Sequence, residues 1–96
     1  QDRLAVEFDA GDLPRVIYID HYGNAWTGVR GVPANTRVRA ADTLFKHSES
    51  FGFVGRGEGF WFVNSVGLVE LAVNRGSAAA HFGLKVGDPV EVQRLN

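Results

Sequence analysis

Residues 17–28 read IYIDHYGNAWTG. This short segment carries a carboxylate at Asp20, an amide at Asn24, and rings at Tyr22 and Trp26. Such a set suits a heterocyclic ligand with a cationic end. The acid takes an ammonium, the amide donates and accepts against a heterocycle edge, and the rings cover its face. A plain hairpin needs only about two turn residues. The other reading makes Asp20 and Asn24 turn formers and puts the rings in the core. The two readings are compatible. Side chains on one strand face recur every second residue, so Asp20, Tyr22, Asn24 and Trp26 share a side if the bend keeps the pleat.

Other chemistry is thin. His21, His47 and His81 fall on different segments, none with a second ligand at a metal-type spacing. Ser65 has no base beside it that would make it a nucleophile. GFVGRGEG lacks the Lys-Ser/Thr ending of a phosphate-binding loop and opens no helix, so it reads as a loop. The expectation is therefore no catalytic residue, no metal and no cofactor. Net charge is −1, which offers no broad basic field to nucleic acid or an anionic membrane. Arg37 and Arg39 read as a solvated strand face. There is no cysteine, so disulfide and thiolate chemistry are excluded. No apolar run approaches the ~18 residues of a membrane span and no signal peptide is visible, so the expected compartment is the cytoplasm.

The elements that must position these residues are short. The chain has 96 residues, 45% apolar, enough for one core. It opens on Gln1 rather than Met, which reads as a piece of something longer. Residues 1–14 read as a polar lead-in and 15–96 as the domain. RVIYID and NAWTGVR form a hairpin; TRVRA and DTLFKH are further strands. FWFVNS and LVELAV pair around Ser65, Val66 and Gly67, and VEVQRL is the last strand. Leu68, Glu70 and Ala72 alternate with Val69, Leu71 and Val73. The one plausible helix covers 77–82, capped by Ser77 and ended by Gly83. No internal repeat stands out. This pattern predicts an all-β fold: a small closed or nearly closed antiparallel barrel of about seven strands with one short helix.

Two segments carry a resemblance. YIDHYGNAWTG resembles the Asp-x-(aromatic)-Gly-Asn-x-x-Thr segment of the S-adenosylmethionine hydroxide adenosyltransferases. NSVGLVELAVNRGSAAAHFGLKVGDPVEV is similar to that family's second C-terminal signature. SFGFVGRGEGFWFV sits where the family has an aromatic loop and then a strand. The resemblance implies the C-terminal β-barrel of a two-domain enzyme that converts S-adenosylmethionine and water to adenosine and methionine. The N-terminal α/β domain, unlike anything in this sequence, would carry the water-activating groups. It also implies a homotrimer, with substrate between the N-terminal domain of one subunit and the barrel of the next. By itself this chain would be inactive.

Position by position, the resemblance assigns Asp20 to the methionine ammonium, with Ser65 near the amino-acid end. Asn24 meets the adenine edge, Phe51 its face, and Trp26 walls the sugar or base. The backbone around Asn74 and Arg75 reads the remaining adenine edge. Tyr22 stands where phenylalanine is common, and Gly28 where asparagine is frequent. SESFGF differs from the usual Thr-Phe-(Ser/Ala)-Asp. Val66 and Val73 occupy positions that are arginine in the fluorinating branch, which favours water over halide. Two rival readings stand beside this one. RGSAAAHFGLKVGDPVEV also looks like part of a PDZ peptide-binding domain, and a purely structural trimerisation barrel would bind neither ligand.

Overall fold

Apolar side chains at every second position make a strand one-sided. The computed structural model describes residues 13–48, 55 and 57–94. Seven strands roll into one sheet: β1 (Leu13–Ile19), β2 (Ala25–Arg30), β3 (Thr36–Ala40), β4 (Thr43–His47), β5 (Gly59–Val63), β6 (Leu68–Val73) and β7 (Val90–Arg94). A short helix, α1 (Ala78–Phe82), lies between β6 and β7 in sequence. The strand order is β1-β2-β6-β5-β4-β3-β7. The two outer strands then meet. The Val16 N–H donates to Asp88 O and the Gly87 N–H to Val16 O, both at 2.8 Å, and Arg15 bridges Pro89. The result is the nearly closed barrel that strand spacing predicts. β1 begins at Leu13 and so takes in the last two residues read as lead-in.

One pairing departs from the antiparallel expectation. β4 and β5 run parallel, with Lys46 opposite Phe60 and His47 opposite Trp61. Parallel neighbours need a crossover of a dozen or so residues. Residues 48–58, between β4 and β5, provide that length.

The inner faces of the strands supply the core, in which Val16, Val29, Val38, Phe45, Trp61, Val69 and Leu71 are all at most 1% exposed. Trp61 Nε1 donates to Thr36 O at 2.9 Å, which satisfies the one polar atom of this large side chain. α1 lays its buried Ala78 against that core, and Phe82 meets Phe45 edge-on with ring centroids 5.1 Å apart. Its ends are those the sequence predicts. Ser77 Oγ accepts from the Ala80 N–H at 3.1 Å, and Gly83 closes the helix at φ 72°. The outer face of β5 and β6 is also covered: Phe60, Ala72 and Glu70 are only 2%, 0% and 5% exposed. Among the described residues, no helix is long and apolar enough to cross a membrane.

Candidate functional site

The bend between β1 and β2 is built by its own acid. Asp20 Oδ1 accepts from the backbone N–H groups of Tyr22 and Asn24, at 2.9 and 3.0 Å. The Gly23 N–H donates to Asp20 O, and the Asp20 N–H to Asn24 O. This is a type I turn followed by a left-handed glycine, the usual form of a three-residue hairpin loop; Gly23 has φ 85°. Asp20 Oδ2 accepts from Trp26 Nε1 at 3.2 Å, and Tyr18 packs edge-on to Trp26 at 5.4 Å. The chemistry-bearing tip therefore holds itself together, using three of the roughly four acceptor positions of a carboxylate.

The same turn recurs between β5 and β6. Asn64 Oδ1 accepts from the Val66 and Leu68 N–H groups at 3.1 and 3.0 Å. The Gly67 N–H donates to Asn64 O, and the Asn64 N–H to Leu68 O. The two tips read DHYGN and NSVGL. Their shared signal, Asx-x-x-Gly, is present in the sequence but too short to stand out as a repeat. Glu70 joins the two turns. Its Oε2 accepts from Asn24 Nδ2 at 2.9 Å and its Oε1 from Asn64 Nδ2 at 3.1 Å. Glu70 sits opposite Trp26 in the β2–β6 ladder. Strand alternation alone gives no reason to expect a buried acid here.

The first tip is docked on α1. Gly23 O accepts from the Ala79 N–H at 2.9 Å. A Cβ on Gly23 would lie 2.0 Å from Ser77 Oγ, so only glycine allows this approach. Beside the joint lies an open groove of about 410 Å³ lined by Tyr22, Asn24, Phe62, Val73, Arg75 and Gly76. Tyr22 is 76% exposed. Arg75 is exposed, with a left-handed φ of 65°.

Of the residues named from sequence, Tyr22, Asn24 and Arg75 line this groove together. Asp20 and Trp26 do not line it; they are bonded to each other, and Asn24 reaches Glu70, the residue opposite Trp26, so Asp20, Asn24 and Trp26 share one face of the sheet. Asn74 adjoins the groove, but its N–H donates to Glu58 O and its O accepts from the Gly57 N–H. Ser65 is exposed on the second turn and does not line the groove. Phe51 lies outside the described residues. Phe62 lines the groove and Asn64 and Glu70 support it, and no sequence motif marks these three. Among the described residues, no group of histidines and acids could hold a metal ion.

Residues 14–91, which include both turns, the groove and α1, match the family model described as SAM hydroxide adenosyltransferase C-terminal domain. The chain is 36% identical over 90 residues to an (R)-S-adenosyl-L-methionine hydrolase of Thermus thermophilus, covering 94% of this chain and 35% of that protein. It is 34% identical over 87 residues to a protein of the same name from Salinispora tropica, covering 85% of this chain and 33% of the relative. A conserved hypothetical protein from Thermus thermophilus superposes with TM-score 0.74 at 35% identity, over 81% of this chain and 33% of that one. An uncharacterized conserved protein from Thermotoga maritima gives 0.69 at 31% identity, over 83% and 35%. The chain thus spans about a third of the length of the curated relatives it matches.

Proposed function

The chain belongs to the SAM hydroxide adenosyltransferase C-terminal domain family, and on that basis we propose that it is the substrate-contacting barrel of an enzyme that hydrolyses S-adenosylmethionine to adenosine and methionine. The supporting observation is that the two signature segments meet at one groove, with Tyr22 and Asn24 from the first and Val73, Arg75 and Gly76 from the second.

In this reading the division of labour follows from hydrogen-bonding capacity. A carboxylate only accepts, so Glu70 orients the Asn24 amide with one N–H toward itself. The Asn24 Oδ1 and second N–H are then the atoms that meet the adenine edge. Phe62 offers a ring to the base, a contact worth roughly 1–3 kcal/mol, and Phe51 is assigned the same role. Arg75 and the backbone beside Asn74 close the far side. Asp20 gives its last acceptor position to the methionine ammonium, Ser65 stands near the amino-acid end, and Trp26 walls the sugar. Val73 makes an apolar wall where the fluorinating branch has arginine, which favours water as the nucleophile. The water-activating groups belong to a larger N-terminal α/β domain, contributed across a trimer interface, with cytoplasmic location. A peptide-addition groove, in contrast, needs an open strand edge, and here the outer strands meet each other.

The test is an NMR titration of the chain with S-adenosylmethionine. With one wall of the site absent, we expect a dissociation constant on the order of millimolar, about 4 kcal/mol. The Asn24, Phe62 and Arg75 amides should shift, Asn24→Ala should remove most of the response, and no adenosine should form. Shifts confined to the exposed face of α1 around His81, or turnover by the chain alone, would overturn this reading.

A further inference from the structure

The Asn24 amide in the groove cannot turn over, and the reason begins at the second turn. Asn64 Oδ1 accepts the backbone N–H groups of Val66 and Leu68, so Asn64 must point its Nδ2 at Glu70 Oε1. Glu70 Oε2 then accepts from Asn24 Nδ2 at 2.9 Å. A carboxylate has no N–H to offer, so each amide facing it must present its amino group. The relay therefore sets the sense of Asn24, with Nδ2 toward Glu70 and Oδ1 away from it.

An acid is a costly way to join two amides. Glu70 is 5% exposed, and among the described residues its partners are these two neutral groups, with no cation paired to it. A buried carboxylate without a counter-charge costs more than a neutral side chain of the same shape. Glutamine has that shape and could bond both asparagines. It could do so only with Asn24 reversed, because its own amino group needs an acceptor. What glutamate adds over glutamine is thus the sense of the Asn24 amide.

We propose that Glu70 is a positioning residue that makes the groove select a 6-aminopurine over a 6-oxopurine. The inference rests on the reading of this groove as the adenine subsite. Adenine presents its 6-amino donor beside a ring-nitrogen acceptor. Asn24, as Glu70 holds it, presents Oδ1 beside one N–H, which matches that order. A 6-oxopurine puts an oxygen where the amino group was, so two acceptors face each other. An amide free to turn would accept either base. A pinned one forces the 6-oxo base to turn over instead, which carries its ribose to the other side of the contact. Neither Asn64 nor Glu70 lines the groove, so both act through Asn24 and not by touching the ligand.

An amide-resolved NMR titration with adenosine and with inosine, run on the unsubstituted chain and on Glu70→Gln, tests this proposal. In the unsubstituted chain adenosine should shift the Asn24 and Phe62 amides, and inosine should bind at least roughly tenfold more weakly, the effect of one hydrogen bond turned into a repulsion. In Glu70→Gln the Asn24 amide reverses and the preference should reverse with it, so that inosine binds more tightly than adenosine. A glutamate that serves stability alone would weaken both nucleosides by the same factor, and that result would overturn the proposal. Equal affinities in the unsubstituted chain would overturn it too, whether or not the variant folds, and would leave the adenine subsite standing. If neither nucleoside shifts Asn24, the adenine subsite itself is wrong and the proposal falls with it.

Discussion

Asp20 and Asn64 open their turns with the same backbone bonds, yet one is an acid and the other an amide. The sixth residue onward explains the choice. Asp20 meets a donor, Trp26 Nε1, and Asn64 meets an acceptor, Glu70 Oε1. Exchanging the two chemistries should therefore cost unequally. Asp20→Asn sets an amide N–H against an indole N–H and should lose about 1 kcal/mol, with a change in Trp26 emission. Asn64→Asp sets a second carboxylate against buried Glu70 and should lose roughly 2–4 kcal/mol. Urea unfolding of both variants checks this, and equal costs would refute it. Glu70→Gln tests the link to the groove. Asn64 cannot turn over, because its Oδ1 already holds two N–H groups. Asn24 must turn instead and offer its amino group where it offered its oxygen. Stability should fall by only about 1 kcal/mol, while the S-adenosylmethionine response at Asn24 should drop much further.

Each hairpin follows rules of its own, and these decide which parts of the fold were legible in the sequence. Gly23 joins its turn to the cap of α1, so Gly23→Ala combines a left-handed alanine, about 1–2 kcal/mol, with overpacking against Ser77, about 1–3 kcal/mol. Thermal unfolding should show a loss of roughly 3 kcal/mol, with amide shifts at 77–80 as well as 22–24. The β3–β4 hairpin is the opposite case. Its two-residue loop, Ala41 and Asp42, has φ 50° and 61°, a geometry that favours Asn-Gly. The double change Ala41→Asn, Asp42→Gly should stabilise the protein by about 1–2 kcal/mol, and an unchanged midpoint would argue against strain at that turn. Glycine and asparagine made the first and last hairpins readable, and Ser77 with three alanines made α1 readable. Ala-Asp gives no such signal, and neither does the parallel β4–β5 pairing, since a ladder partner is chosen by the whole barrel rather than by a local motif. At the groove, Tyr22 and Asn24 stood out by chemical type, and Arg75 only through the family resemblance. Glu70 did not, because strand alternation specifies a face and not whether something else covers it.

Closure of the whole barrel is uneven, and proline explains where. Pro14 lies near the start of β1, and Pro89, opposite Arg15, immediately precedes β7. Neither can donate to a ladder, so both belong on strand edges. Among the described residues, the β1–β7 seam rests on the Val16–Asp88 and Gly87–Val16 bonds, whereas β3 and β7 share a register of five pairs. A seam with so few bonds opens at lower free energy than the body of the sheet. The groove is elsewhere: Phe62 and Val73 lie on β5 and β6, and Glu70 of β6 holds Asn24. The seam can therefore open without dismantling the groove. Hydrogen exchange should show the Val16 and Gly87 amides exchanging at least roughly tenfold faster than those of β6, a difference of about 1.4 kcal/mol. Saturating S-adenosylmethionine should slow exchange at Asn24 and leave the seam rates unchanged. Equal rates at the seam and in β6 would mean that the barrel opens only as a unit. A seam slowed by ligand would mean that closure and binding are coupled, and that the groove is not independent of the edge strands.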